Sequence, residues 1–159
     1  MSHAAAIPNA SDVEAAAATA RTRLEASRTA PAVARRFARE VLAGHGAGAE
    51  ILDRAELLIS ELVTNAVVHA GSPVWLSVTA AGGAVHIEVE DNGGGQVARR
   101  RPGDLRGCNA GYGLWLVDSL ADSWGVEHAG ERQPGPGDQA SGSARGNPKR
   151  VWLRLPLPC

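Results

Sequence analysis

AEILDRAELLISELVTNAVVHAG, residues 49–71, is the most strongly periodic stretch of this chain. Ile51, Leu52, Ala55, Leu58, Ile59, Leu62, Val63, Ala66 and Val67 recur at three- and four-residue intervals, the spacing of one buried helical face. Gly71 marks the end of the helix. Three polar residues accompany the apolar stripe: Glu61, Asn65 and His69, each four residues from the next. At about 100° per residue they spread over about 80° of the helix surface. Glu61 and Asn65 then fall at the rim of the apolar arc, and His69 falls within it.

A carboxylate and an amide at a core rim need a partner or a purpose. The Asn65 side-chain oxygen suits Mg²⁺, a hard cation that prefers oxygen ligands. Glu61 suits the orientation or deprotonation of an attacking hydroxyl or water. The helix alone also admits a plainer account, with Glu61 and Asn65 solvated and His69 a hydrogen-bonded, half-buried histidine.

Upstream, residues 29–44 read as a helix entered at Pro31 and closed by Gly44, with Val33, Phe37 and Val41 four apart on one face. Residues 19–27 alternate weakly, as an edge strand does. Residues 1–18 have no basic segment leading into an apolar run and are expected to be a disordered tail, not a signal peptide. Downstream, residues 73–91 read as two strands joined at Gly82-Gly83, a hairpin signal. Residues 112–122 read as a short helix, 123–129 as a strand and 149–157 as a last alternating strand. Between these strands, residues 130–148 are of low complexity and are expected to form a flexible loop. The element order implies an α+β fold, a two-layer α/β sandwich with helices on one face of a mixed sheet.

The whole chain has 159 residues, 44% of them hydrophobic, enough for one ordinary core. A net charge of −1 provides no broad basic footprint, so direct nucleic-acid binding is not expected. No apolar run reaches the roughly 18 residues of a membrane span, so no membrane partner is expected. Cys108 and Cys159 make neither a metal motif nor a disulfide framework. Reduced thiols and a cytoplasmic location are the expectation.

Two further segments could share a site with the long helix. In EVEDNGGG, residues 88–95, Asp91 stands at the end of a strand, with Gly93 and Gly95 at D-x-G-x-G spacing. A carboxylate there can accept a hydrogen bond from the exocyclic amine of adenine, where guanine offers an oxygen instead. The glycines admit backbone approach to a base or sugar; an ordinary Asp-Asn-Gly turn is the competing explanation. In GYGLWLVDSLADSWG, residues 111–125, Gly111 and Gly113 precede a helix whose free N–H groups suit phosphate. A loop with a helix start and no ligand is the competing explanation. Gly93, Gly95 and Ala98 also fit a G-x-G-x-x-A dinucleotide pattern, but RRRPGD follows where that motif should open a helix.

Taken together, SELVTNAVVHA, VEDNGGG and GYGLWLVDSLAD resemble the asparagine box and the two glycine boxes of the histidine-kinase-type (GHKL) ATP-binding domains. More narrowly, they are similar to the stand-alone serine kinase anti-sigma factors of the RsbW and SpoIIAB type found in actinobacteria. The resemblance covers about residues 29–157 and implies the Bergerat ATP-binding fold over a domain at 19–157. It implies Glu61 as catalytic base and Asn65 as Mg²⁺ ligand. It also implies an ATP site at Asn65, His69, Asp91, Gly93, Gly95, Gly111, Tyr112, Gly113 and Leu114. Residues 96–110 would be a mobile lid over the nucleotide, with Arg99, Arg100, Arg101 and Arg106 available to phosphates or partners.

The implied activity is ATP-dependent phosphorylation of an anti-sigma factor antagonist (STAS-type) by a protein-serine/threonine kinase that also sequesters a sigma factor. Homodimers occur in the resembled family. A nucleotide-gated protein-binding module without kinase activity is the alternative. A sensor histidine kinase fits poorly, since neither a membrane span nor a coiled-coil helix pair carrying a phosphoacceptor His is evident. One departure stands out: the family often has a threonine near the start of its last strand, and here PKRVWL places Lys149 or Arg150 there.

Overall fold

In the computed structural model, residues 18–93, 112–128 and 148–158 are described. Strand β1 spans Ala18–Leu24, and helices α1 (Ala30–Gly44) and α2 (Ala49–Ala70) follow it. Strands β2 (Val74–Ala81) and β3 (Ala84–Asp91) come next, then α3 (Tyr112–Leu120), β4 (Ser123–His128) and β5 (Lys149–Pro156). The expected tail, lid and 130–148 loop lie wholly or almost wholly outside the described residues.

The strands form one sheet in the order β1-β2-β3-β5-β4. Every described pair in it is antiparallel, which corrects the expectation of a mixed sheet. The connections explain why. β3 and β4 run in the same direction, as strands joined through a helix commonly do, but β5 inserts between them and runs antiparallel to both. The β2–β3 turn is made by Gly82 and Gly83, with φ of 57° and 71°. Both central residues of such a tight turn need positive φ, which glycine adopts without a steric penalty.

Burial alternates along the central strands, so the sheet has one covered and one open face. Val74, Leu76 and Val78 of β2, Val85, Ile87 and Val89 of β3, and Val151, Leu153 and Leu155 of β5 point into the core. Helices α1 and α2 cover that face, α2 through Ile51, Ala55, Leu58, Ile59, Leu62 and Val63. Burial of each Leu, Ile or Val contributes about 1.5–3 kcal/mol before chain entropy is charged against it. Two polar links tie α1 to α2: Arg35 Nη1 donates to Ser60 Oγ at 2.9 Å, and Arg39 pairs with Glu56.

The buried stripe of α1 is Ala30, Ala34, Ala38 and Leu42. The expected face of Val33, Phe37 and Val41 is displaced from it by one residue: Val33 is 39% exposed, and Phe37 and Val41 only flank the core. Small side chains on the inner stripe let the helix axes approach closely, and the larger residues then fill the flank.

The open face is polar. Arg150 lies 3.7 Å from Glu88, 3.4 Å from Glu90 and 3.8 Å from Glu127. Arg21 lies 3.4 Å from Glu90, and its guanidinium sits 4.6 Å from the centroid of the Trp75 ring. These pairs are solvent-accessible, so each contributes at most about 1 kcal/mol.

Candidate functional site

Helix α2 carries the first group of site candidates. Glu61 and Asn65 are half-buried, at the rim of the buried stripe that ends with Leu62, Val63 and Ala66. Among the described residues, neither has a hydrogen-bond or ion-pair partner. His69 is exposed, not within the apolar arc as the periodicity predicts. It belongs to the last turn of α2, beyond the last buried residue, Ala66.

The C-terminal turn of α2 lies against the end of β3. A Cβ placed on Gly93 would stand 2.9 Å from Ala70 Cα and 3.1 Å from Ala70 Cβ. Only hydrogen fits at that position, so Gly93 holds the segment after β3 close to the helix. At 1.5 Å of rise per residue, Asn65 and Glu61 lie about 7.5 Å and about 13.5 Å back along α2 from Ala70. The order along the helix, from the β3 end, is therefore Ala70, Asn65, Glu61.

Asp91 closes β3 with its side chain on the covered face, only 3% exposed. Its Oδ1 accepts the Gly93 N–H at 2.8 Å. Its Oδ2 faces Lys149 Nζ at 3.6 Å, and Asp91 and Lys149 are direct partners in the β3–β5 register. Lys149 is likewise buried, at 5%. Of the two cations singled out in the sequence, Lys149 stands beside Asp91, while Arg150 points to the open face among Glu88, Glu90 and Glu127. Lys149 is visible in the sequence as an oddity. Its pairing with Asp91 is not, because the sheet register brings together residues far apart in the chain.

Tyr112, Gly113 and Leu114 form the first turn of α3, which packs beside α2. Trp124 Nε1 donates to Asp118 Oδ1 at 3.0 Å, joining α3 to β4. Gly95, Gly111 and the four lid arginines lie outside the described residues. Among the described residues, no cluster of three or more His, Cys, Asp or Glu could hold a metal ion. Mg²⁺ does not need one, since it is commonly held by one or two protein oxygens together with phosphates and water. A half-buried amide with no partner among the described residues suits that role, and Asn65 is such a group.

A helical layer over one face of an antiparallel sheet, with a buried carboxylate at a strand end and a polar helix rim, defines a two-layer α+β domain. The chain belongs to the family of histidine kinase-like ATPase domains, whose pattern matches residues 13–134. Comparison with curated proteins returned no match. Among solved structures, the fold is similar to the RsbU and RsbW domains of Rv1364c from Mycobacterium tuberculosis, at 23% identity and a TM-score of 0.56. That match covers 88% of this chain and 33% of the solved one, so this chain spans about a third of its length. No helix among the described residues is long and apolar enough to cross a membrane.

Proposed function

We propose that this chain is an ATP-dependent protein-serine/threonine kinase that also sequesters a sigma factor, its substrate being an anti-sigma factor antagonist of the STAS type. The observation that carries this reading is the line of candidates along one seam. Gly93, hydrogen-bonded to Asp91, meets the C-terminal turn of α2 at Ala70, and the half-buried Asn65 and Glu61 follow along the same helix. The similar solved structure includes an RsbW domain, which supports the partner-switching part of the proposal.

In this reading Asp91 accepts the exocyclic amine of adenine and Gly93 keeps side chains away from the base. His69, Gly95, Gly111, Tyr112, Gly113 and Leu114 complete the nucleotide site, and residues 96–110 close over it. Asn65 holds Mg²⁺, which when bound supplies charge neutralisation at the phosphates. Glu61 accepts the proton of a serine or threonine hydroxyl as that oxygen bonds to the γ-phosphorus. The bond from the γ-phosphorus to its bridging oxygen breaks, and ADP leaves with the electron pair. The protein acts in the cytoplasm without contacting nucleic acid.

A second reading has one observation in its favour. Lys149 is buried against Asp91, where the resembled kinases often carry a hydroxyl. A nucleotide-gated binding module without catalysis would tolerate that change. Transfer of labelled γ-phosphate from ATP to a serine-bearing antagonist separates the two. The kinase reading predicts that Glu61→Gln loses about 10²–10⁴ in rate and keeps ATP affinity. Equal labelling by wild type and variant removes Glu61 from the mechanism, and no labelling by wild type favours the module.

A further inference from the structure

Asp91 and Lys149 form a buried ion pair at the end of the sheet, with side chains 2% and 6% exposed. Such a pair is a poor source of stability, because removing two charges from water offsets most of their attraction. Apolar residues of similar volume would serve the core as well. The pair adjoins a close approach of α2 to the start of the glycine segment, through Gly93 and Ala70. Asp91 Oδ1 is already oriented by the Gly93 N–H. A carboxylate has about four acceptor positions, so Asp91 can hold Gly93 and Lys149 and still receive a ligand donor.

A carboxylate alone discriminates sharply between purines. It accepts the amine of adenine and repels the carbonyl oxygen that guanine presents at the same ring position. An ammonium 3.6 Å away changes that balance. The two groups together offer an acceptor and a donor side by side. Adenine presents an amine donor next to a ring-nitrogen acceptor. Guanine presents a carbonyl acceptor next to a ring N–H donor. Each edge matches the pair, with the partners exchanged between carboxylate and ammonium. The ammonium carries three donors, so it can stay on Asp91 and still offer a hydrogen bond to the base.

We propose that Lys149 is a specificity-determining residue that lets this site accept guanine as well as adenine nucleotides. The inference rests on Asp91 being the base acceptor of the proposed ATP site. A site that pressed a buried carboxylate on the guanine carbonyl with no donor beside it would reject GTP by a factor on the order of 10⁴. With Lys149 in place the two nucleotides bind within about tenfold of each other, a difference of about 1.4 kcal/mol.

Isothermal titration of the full chain with ATP and with GTP, each with Mg²⁺, tests this directly. Lys149→Thr and Lys149→Gln are titrated in parallel, with circular dichroism to verify folding. The expected result is comparable binding of both nucleotides by wild type, and at least about a tenfold relative loss of GTP in the folded variants. ATP binding with GTP more than about tenfold weaker in wild type overturns the role of Lys149 and leaves the ATP site standing. An unchanged GTP-to-ATP ratio in folded variants overturns it too. If neither variant folds, the wild-type ratio decides alone. Binding of neither nucleotide by folded wild type overturns both the inference and the site on which it rests.

Discussion

Gly93 carries a hydrogen where any other residue would drive a carbon into the backbone of Ala70, 2.9 Å away. Backbone atoms cannot rotate aside as a side chain can, so the strand end or the helix must move. Gly93→Ala is therefore expected to destabilise the protein by about 1–3 kcal/mol, read as a lower urea midpoint. An unchanged midpoint would mean that the helix end and the glycine segment are not held together. That Asp91 and Gly93 are unusual positions is legible in the sequence. D-x-G-x-G spacing singled out Asp91 and Gly93 because both residue types have narrow chemical uses. The exposure of His69 was not legible, since periodicity gives only an approximate phase: in the last turn of α2, Val67 and Ala70 stay partly buried while His69 faces outward.

Among the elements, helix α1 is where sequence pattern and packing part. Its four-residue period was plain, but hydrophobic size drew attention to Val33, Phe37 and Val41, while the core takes Ala30, Ala34, Ala38 and Leu42. Alanine has little apolar surface and reads weakly, although close helix packing requires small residues at the contact. Ala38 is fully buried, so Ala38→Leu should overpack the α1–α2 contact and cost about 1–3 kcal/mol. Val33→Ala, on the exposed side, should change stability by no more than about 0.5 kcal/mol. Denaturant unfolding of both variants checks the phase of the helix, and the reverse ranking would put the stripe back on Val33. The β2–β3 hairpin, by contrast, was fully announced by Gly82-Gly83, because the turn geometry admits few other residues.

For the whole molecule, the order of elements predicted two layers but not the sheet's pairing. A strand joined to the next through a helix suggests parallel neighbours, and only the insertion of β5 between β3 and β4 makes the sheet antiparallel. The same insertion creates the Asp91–Lys149 pair, so topology and site chemistry are one fact. Lys149 is conspicuous in the sequence, but only the β3–β5 register places it beside Asp91. In the proposed function, the rim of α2 and the end of β3 form one site for Mg²⁺ and ATP. Calorimetric titration of Mg²⁺-ATP into wild type and Asn65→Ala tests this most directly. Asn65 is half-buried with no partner among the described residues, so the variant should stay folded. Wild type should bind ATP saturably, and the variant about ten- to a hundredfold more weakly, as loss of a group that orders the metal would give. Equal affinity in both proteins, or no ATP binding by folded wild type, would contradict a shared site.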